Sequence, residues 1–220
     1  MRGVFVTGTG TEVGKTVLAA AICAALAERG ERVAAFKPVV TGLDEPAGEW
    51  PRDHELLASV ATAGQSPEDV APVRFGPAVS PHLAAELAGE RIEPHALVAA
   101  ARAAGEVLVC EGVGGLMVPL TPGYLVRDFA LDLGLPVVVA ARPGLGTINH
   151  SLLTVEAARA AGLSVAAVVM TPWPEAPSDM ERSNRSTVAT LGDVAVYGVP
   201  RTSPGNLSAA AAALPLDDWL

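Results

Sequence analysis

The residues best placed to do chemistry are crowded near the start of the chain, in Gly8-Thr9-Gly10-Thr11-Glu12-Val13-Gly14-Lys15-Thr16. Gly8, Gly10 and Gly14 let the backbone turn tightly and let a ligand approach it. Lys15 brings a fixed positive charge suited to the β- and γ-phosphates of a nucleotide, and the Thr16 hydroxyl can ligate Mg2+. The phosphate-loop pattern G-x-x-x-x-G-K-[ST] wants glycine at position 9; Thr9 stands there, with Gly8 and Gly10 on either side. Val4-Phe5-Val6 before the loop reads as a buried strand. Val17 to Leu26 after it reads as a helix, whose free N–H groups and positive dipole end favour a polyphosphate.

Other groups follow strands. Glu111 ends the apolar run Val107 to Cys110; it is either an acidic ligand for Mg2+ or a cap on the turn Gly112-Val113-Gly114-Gly115. Asp53 is either a second Mg2+ ligand or the N-cap of a helix over His54 to Ala63. Lys37 directly follows the strand Val33 to Phe36 and precedes Pro38; it either holds an anion or is a solvated strand end. Gly144-Leu145-Gly146-Thr147 turns into a helix over Ile148 to Ala161, with Thr147 as a candidate cap and Asn149 and His150 on its outward side. His82, just after Ser80-Pro81, is similarly placed, and a structural hydrogen bond is the simpler reading for either histidine. His54 and His95 carry no signal.

The elements that must position these groups alternate. Strands are expected at Val4 to Val6, Val33 to Phe36, Val107 to Cys110, Val137 to Ala141, Val165 to Met170 and Val194 to Val199. Helices are expected from Ser80-Pro81 through Leu87, from Pro94 through Ala104, over Val126 to Leu133 and over Ser178 to Leu191, with a short helix in the alanine-rich tail. Gln65 to Val79 is turn-rich and assigns poorly. This alternation implies a mainly parallel sheet flanked by helices and, with the phosphate loop at its start, an α/β P-loop NTPase-type three-layer fold. Ligands of such sheets bind at the carboxyl ends of the strands.

The 220 residues suit one domain over 1–220, with neither linker nor repeat. Half are hydrophobic but only 4% aromatic, so the core should be Ala, Val and Leu. A net charge of −9 without a basic run argues against a nucleic-acid surface. Cys23 and Cys110 lie in apolar segments without metal spacing and read as reduced thiols of a cytoplasmic protein. No apolar run approaches the roughly 20 residues of a membrane span, and no signal-peptide pattern opens the chain.

Together with Lys37-Pro38-Val39, Thr41-Gly42, Ser80-Pro81-His82, Glu111 to Gly115 and Gly146-Thr147-Ile148-Asn149-His150, the phosphate loop resembles that of the dethiobiotin synthetases over nearly the whole chain. The resemblance implies a homodimeric ATP-dependent ligase with the substrate near the interface. It would form a carbamate from CO2 and one amine of 7,8-diaminopelargonic acid. Phosphorylation by ATP then gives a carbamic–phosphoric anhydride, and the second amine closes the ureido ring. Carried over by position, Thr16, Asp53 and Glu111 match the Mg2+ ligands, and Lys37, Lys15 and Thr11 the catalytic set. Gly10, Thr11, Glu12, Val13, Gly14, Lys15 and Thr16, with Thr171 and Pro200 farther on, match the nucleotide site. Thr41, Lys37, Gly112 and Asn149, the last from the partner subunit, match the substrate site.

Two departures bear on the base. Better-known members carry an Asn where Thr171 begins Thr171-Pro172-Trp173-Pro174, and an acidic residue where Val199 to Gly205 has none. Loose base selection is therefore expected. The competing reading is a regulatory P-loop ATPase of the partitioning kind, which would carry an extra lysine early in the loop, where this chain has Thr9, Gly10 and Thr11. A related cobalamin-type synthase would need a glutaminase domain, for which the chain is too short.

Overall fold

In the computed structural model, which describes residues 1–46 and 48–220, a sheet of six parallel strands is covered by helices on both faces. The chain starts with β1 (Arg2–Gly8), α1 (Lys15–Glu28), β2 (Val33–Phe36) and β3 (Val39–Val40). It continues through α2 (Asp53–Val60), α3 (Pro67–Val70), β4 (Val73–Arg74), α4 (Pro81–Ala88), α5 (Pro94–Ala103) and β5 (Val107–Glu111). A hairpin of β6 (Pro119–Thr121) and β7 (Tyr124–Leu125) leads into α6 (Val126–Leu133) and β8 (Val137–Ala141). Then come α7 (Thr147–Ala160), β9 (Val165–Trp173), α8 (Asp179–Gly192), β10 (Val196–Pro200), α9 (Leu207–Ala210) and α10 (Leu216–Trp219).

The strand order is β10-β9-β8-β1-β5-β2. Strands buried on both faces can be apolar throughout; β2 and β8 are, and β1 and β5 are apart from Arg2 and Thr7 in the first and Glu111 in the second. Alternate residues of β1 serve opposite cores. Val4 and Val6 pack on the α1, α2, α9 and α10 side, and Phe5 on the side of α4 to α8. Phe129 of α6 closes the second core, with its ring centroid 6.2 Å from Phe5 and 6.5 Å from Phe36.

Register decides what meets at the carboxyl edge. Val6 of β1 lies opposite Glu111 of β5, and Phe36 of β2 opposite Cys110. Glu111 and Lys37, the residue after β2, thus arrive at the level of Val6, and Gly8 follows two residues farther along β1 toward the same edge.

Several expectations need correcting. Asp53 is not the N-cap of α2 but its first residue; Arg52 holds the cap position, and its N–H donates to Glu55. Thr147 likewise sits inside α7, buried, behind a left-handed cap at Gly146. The strand expected to end at Met170 runs on to Trp173, because β10 keeps pairing with it as far as Pro200. The stretch over Gln65 to Val79 contains α3 and β4, and β4 pairs in parallel with β3. The β6–β7 hairpin has no counterpart in the sequence expectations.

Candidate active site

The loop between β1 and α1 wraps around its own lysine. Lys15 Nζ donates to the Gly10 carbonyl at 2.7 Å. Gly8 has to be glycine: a Cβ there would lie 2.6 Å from the Val13 side chain and 2.9 Å from the Lys15 stem. Gly14 caps α1 at φ 88°, a left-handed value, and a Cβ there would meet the Thr171 methyl at 2.7 Å. Glu12 also takes a positive φ of 57° without being glycine. Arg142, just after β8, donates two guanidinium hydrogen bonds to the Glu12 carbonyl and fixes that turn.

Next to the loop, two carboxylates and a second lysine converge. Lys37 Nζ donates to Asp53 Oδ2 and to Glu111 Oε1, each at 2.5 Å. The Thr16 hydroxyl donates to Glu111 Oε1 at 2.9 Å. Lys37 is only 4% exposed and Glu111 fully buried, so neither is a solvated strand end. Glu111 Oε2 is buried and has no hydrogen-bond partner among the described residues. An orphaned carboxylate oxygen in an interior costs free energy unless something polar meets it.

Charge and burial compete here. Burial pushes the Glu111 carboxyl up; Lys37 pulls it down, Asp53 pushes it up again, and the net direction is up. Burial would also raise Asp53, but the Lys37 charge and hydrogen bond hold it below its usual value. For Lys37 burial acts downward and the two carboxylates outweigh it, so its ammonium stays protonated. Lys15 is lowered to about 8, chiefly by burial, with Glu111 opposing and Lys37 reinforcing.

These groups line one cavity of about 360 Å³ at the carboxyl edge of the sheet. Thr11, Glu12, Gly14, Lys15, Thr16, Lys37, Thr41, Asp53 and Glu111 all reach it. Trp50, Pro51 and Leu56 add an apolar wall that no motif announced. Gly10 contributes only its carbonyl to Lys15, and Val13 is buried behind the loop. Gly112 is packed under Val126 and Phe5, where a Cβ would lie 2.9 Å from Val126. Thr171 is 3% exposed with its methyl against Gly14, and Pro200 is exposed at the end of β10. Asn149 and His150 are exposed on α7, away from this cavity.

A cavity with a nucleotide-type loop, a buried lysine and hard oxygen donors can bind a polyphosphate and a small divalent cation, and can stabilise a transferring phosphoryl group. Comparison with known proteins bears on the nucleotide. A family model described as an AAA domain matches residues 2–202. The ATP-dependent dethiobiotin synthetase of Bacillus subtilis subsp. natto is 36% identical over 202 residues, covering 90% of this chain and 87% of its own. That of Anaeromyxobacter dehalogenans strain 2CP-1 is 44% identical over 173 residues, covering 77% and 76%. The chain belongs to the dethiobiotin synthetase family. A ParA family ATPase from Chlorobium tepidum TLS superposes with a TM-score of 0.55 over 99% of this chain and 95% of its own. At 9% identity that likeness shows the shared P-loop fold alone.

Proposed function

We propose that this chain closes the ureido ring of dethiobiotin from 7,8-diaminopelargonic acid and CO2, converting ATP to ADP and phosphate. Family membership supports this reading, and one observation carries it at the level of residues. Lys15, Thr16, Lys37, Asp53 and Glu111 share a single cavity that also has room beyond the phosphate loop.

A carbamate is a poor acylating agent, so one of its oxygens must become part of a leaving group. The carbamate oxygen attacks the γ-phosphorus of ATP, ADP departs, and the second amine then attacks the mixed anhydride carbon and expels phosphate. Lys15 and Lys37 bring fixed positive charge to the phosphoryl oxygens, and the Gly14–Thr16 start of α1 orients the phosphates. Thr11 and Thr41 stand on the cavity wall where the carbamate would be held. Holding the two reactants together supplies on the order of 7–11 kcal/mol of the barrier.

Thr16, Asp53 and Glu111 would hold Mg2+. All three offer hard oxygens, and the unpartnered Glu111 Oε2 suits such a cation. When bound, the ion would neutralise charge developing on the phosphate oxygens. A homodimer belongs to the same reading. Leu145 is 94% exposed in the turn before α7, and Asn149 and Leu153 lie four positions apart on the outer side of α7. Free, buried Cys23 and Cys110 fit a cytoplasmic setting.

The test is ADP release with and without the diamine and bicarbonate, alongside product analysis. One ADP per dethiobiotin, strictly dependent on the diamine, is expected. Slow hydrolysis indifferent to the diamine would favour an ATPase switch instead.

A further inference from the structure

We infer that Lys37 is the resident counter-ion of the cation site and exchanges with the metal, so that the metal enters only together with the nucleotide. The inference rests on the assignment of Thr16, Asp53 and Glu111 to Mg2+ made above. Its test reads binding rather than turnover, so it stands or falls separately from the chemistry.

Two observations lead to it. Lys37 Nζ occupies the point on which the assigned donors converge, 2.5 Å from both carboxylates, while Thr16 donates to the same Glu111 oxygen. An ammonium there blocks a metal from Glu111 Oε1 and Asp53 Oδ2 together. Around Lys37 the charges also balance: the cations Lys15 and Lys37 offset the anions Asp53 and Glu111, while the third carboxylate of the lining, Glu12, is exposed to solvent.

A divalent cation arriving alone would leave two uncompensated positive charges among buried groups, which is strongly unfavourable in a poorly solvated site. A nucleotide diphosphate or triphosphate reverses the balance by bringing several negative charges to Lys15 and the start of α1. The Lys37 ammonium then gains a new anionic partner in the phosphate oxygens, and the two carboxylates are released to the metal. Lys37 has the reach for this, because it lines the same cavity as Lys15 and Gly14. One lysine thereby serves twice: it neutralises Asp53 and Glu111 in the empty site, and it delivers positive charge to the phosphates when the site fills.

The experiment measures Mn2+ affinity by electron paramagnetic resonance, with and without ADP, in the wild type and in Lys37→Met. Without ADP, Lys37→Met should bind Mn2+ about 10-fold or more tightly than the wild type, because the competing cation is gone. With ADP the wild type should bind Mn2+ well and the difference should shrink. Asp53→Asn added to Lys37→Met should weaken the nucleotide-free site. Equal nucleotide-free affinities in two folded proteins would overturn the exchange. Absence of Mn2+ from both proteins even with ADP would overturn the metal assignment and the exchange with it. If Lys37→Met fails to fold, crystals of the wild type decide the matter. Nζ should leave Asp53 and Glu111 when Mg2+ and ADP are present, and Nζ still bonded to both beside a bound metal would overturn the proposal.

Discussion

Lys37 lies between two carboxylates that would otherwise repel each other inside the protein. Its removal deletes the charge proposed above to act on the phosphoryl oxygens. Lys37→Ala should cut kcat by about 100-fold or more, as deletion of comparable electrostatic groups does. Steady-state dethiobiotin formation by a protein with native circular dichroism checks this, and near wild-type turnover would take Lys37 out of the mechanism. Lys15 gives a pH dependence. Burial holds its ammonium at about 8, below its ordinary 10.5, so the nucleotide-free protein bears the full cost of that buried charge below pH about 8. The cost is relieved between about 8 and 10.5, where the unfolded chain keeps a proton that the folded one has lost. Phosphates favour the protonated form, so ADP binding at a pH above about 8 should take up a proton and weaken as pH rises further. Calorimetry without Mg2+ at about pH 9, in buffers of different ionisation enthalpy, measures the uptake. Identical heats in both buffers would mean that Lys15 is already charged in the empty site.

At the level of elements, the phosphate loop and the end of β9 depend on each other through Gly14 and Thr171. Gly14→Ala puts a methyl on a residue at φ 88° and drives it into Thr171. Nucleotide affinity should fall about 10-fold or more from strain of one to three kcal/mol in the loop. Thr171→Ser removes the obstructing methyl and should recover part of that loss; a double variant no better than Gly14→Ala alone would show that the contact is unimportant. Buried against Gly14, Thr171 also has little to offer a base: one hydroxyl, where an amide presents donor and acceptor together. Pro172, Pro174, Pro200 and Pro204 contribute no N–H. We expect kcat/KM for ATP to lie within about 100-fold of that for CTP or GTP, the range left to shape and single hydrogen bonds. Dethiobiotin formation with each nucleotide at matched free Mg2+ measures it, and a far larger ATP preference would mean that backbone groups read adenine unaided.

For the whole molecule, the outer side of α7 and the turn before it form an exposed surface suited to a partner. Leu145 at 94% and Leu153 at 56% exposure flank Asn149 without belonging to either core. Charged residues there should divide the homodimer proposed above without unfolding the chain. Light scattering on Leu145→Glu/Leu153→Glu should give the mass of one chain, together with weaker substrate binding if Asn149 serves the neighbouring site. A variant that stays dimeric and fully active would place the interface elsewhere.

Local signals were enough for much of this protein. Gly14-Lys15-Thr16 between an apolar strand and an alanine-rich helix fixes the phosphate loop, because that chemistry depends on neighbouring residues in the chain. Alternating apolar runs and helical stretches likewise fix a parallel sheet, since strands buried on both faces need no polar side. The choice between the two roles of Asp53 lay beyond such signals. A first-turn carboxylate looks the same whether it caps a helix or faces a lysine 16 positions away, and only the packing of α2 against β2 turns it toward Lys37. The same holds for Glu111, 74 positions from Lys37, whose pairing follows from β5 lying between β1 and β2. Arg142 bracing Glu12 across 130 positions, and Trp50 walling the cavity, carry no sequence pattern at all. Their roles exist only where strand order and register bring distant segments to one edge of the sheet.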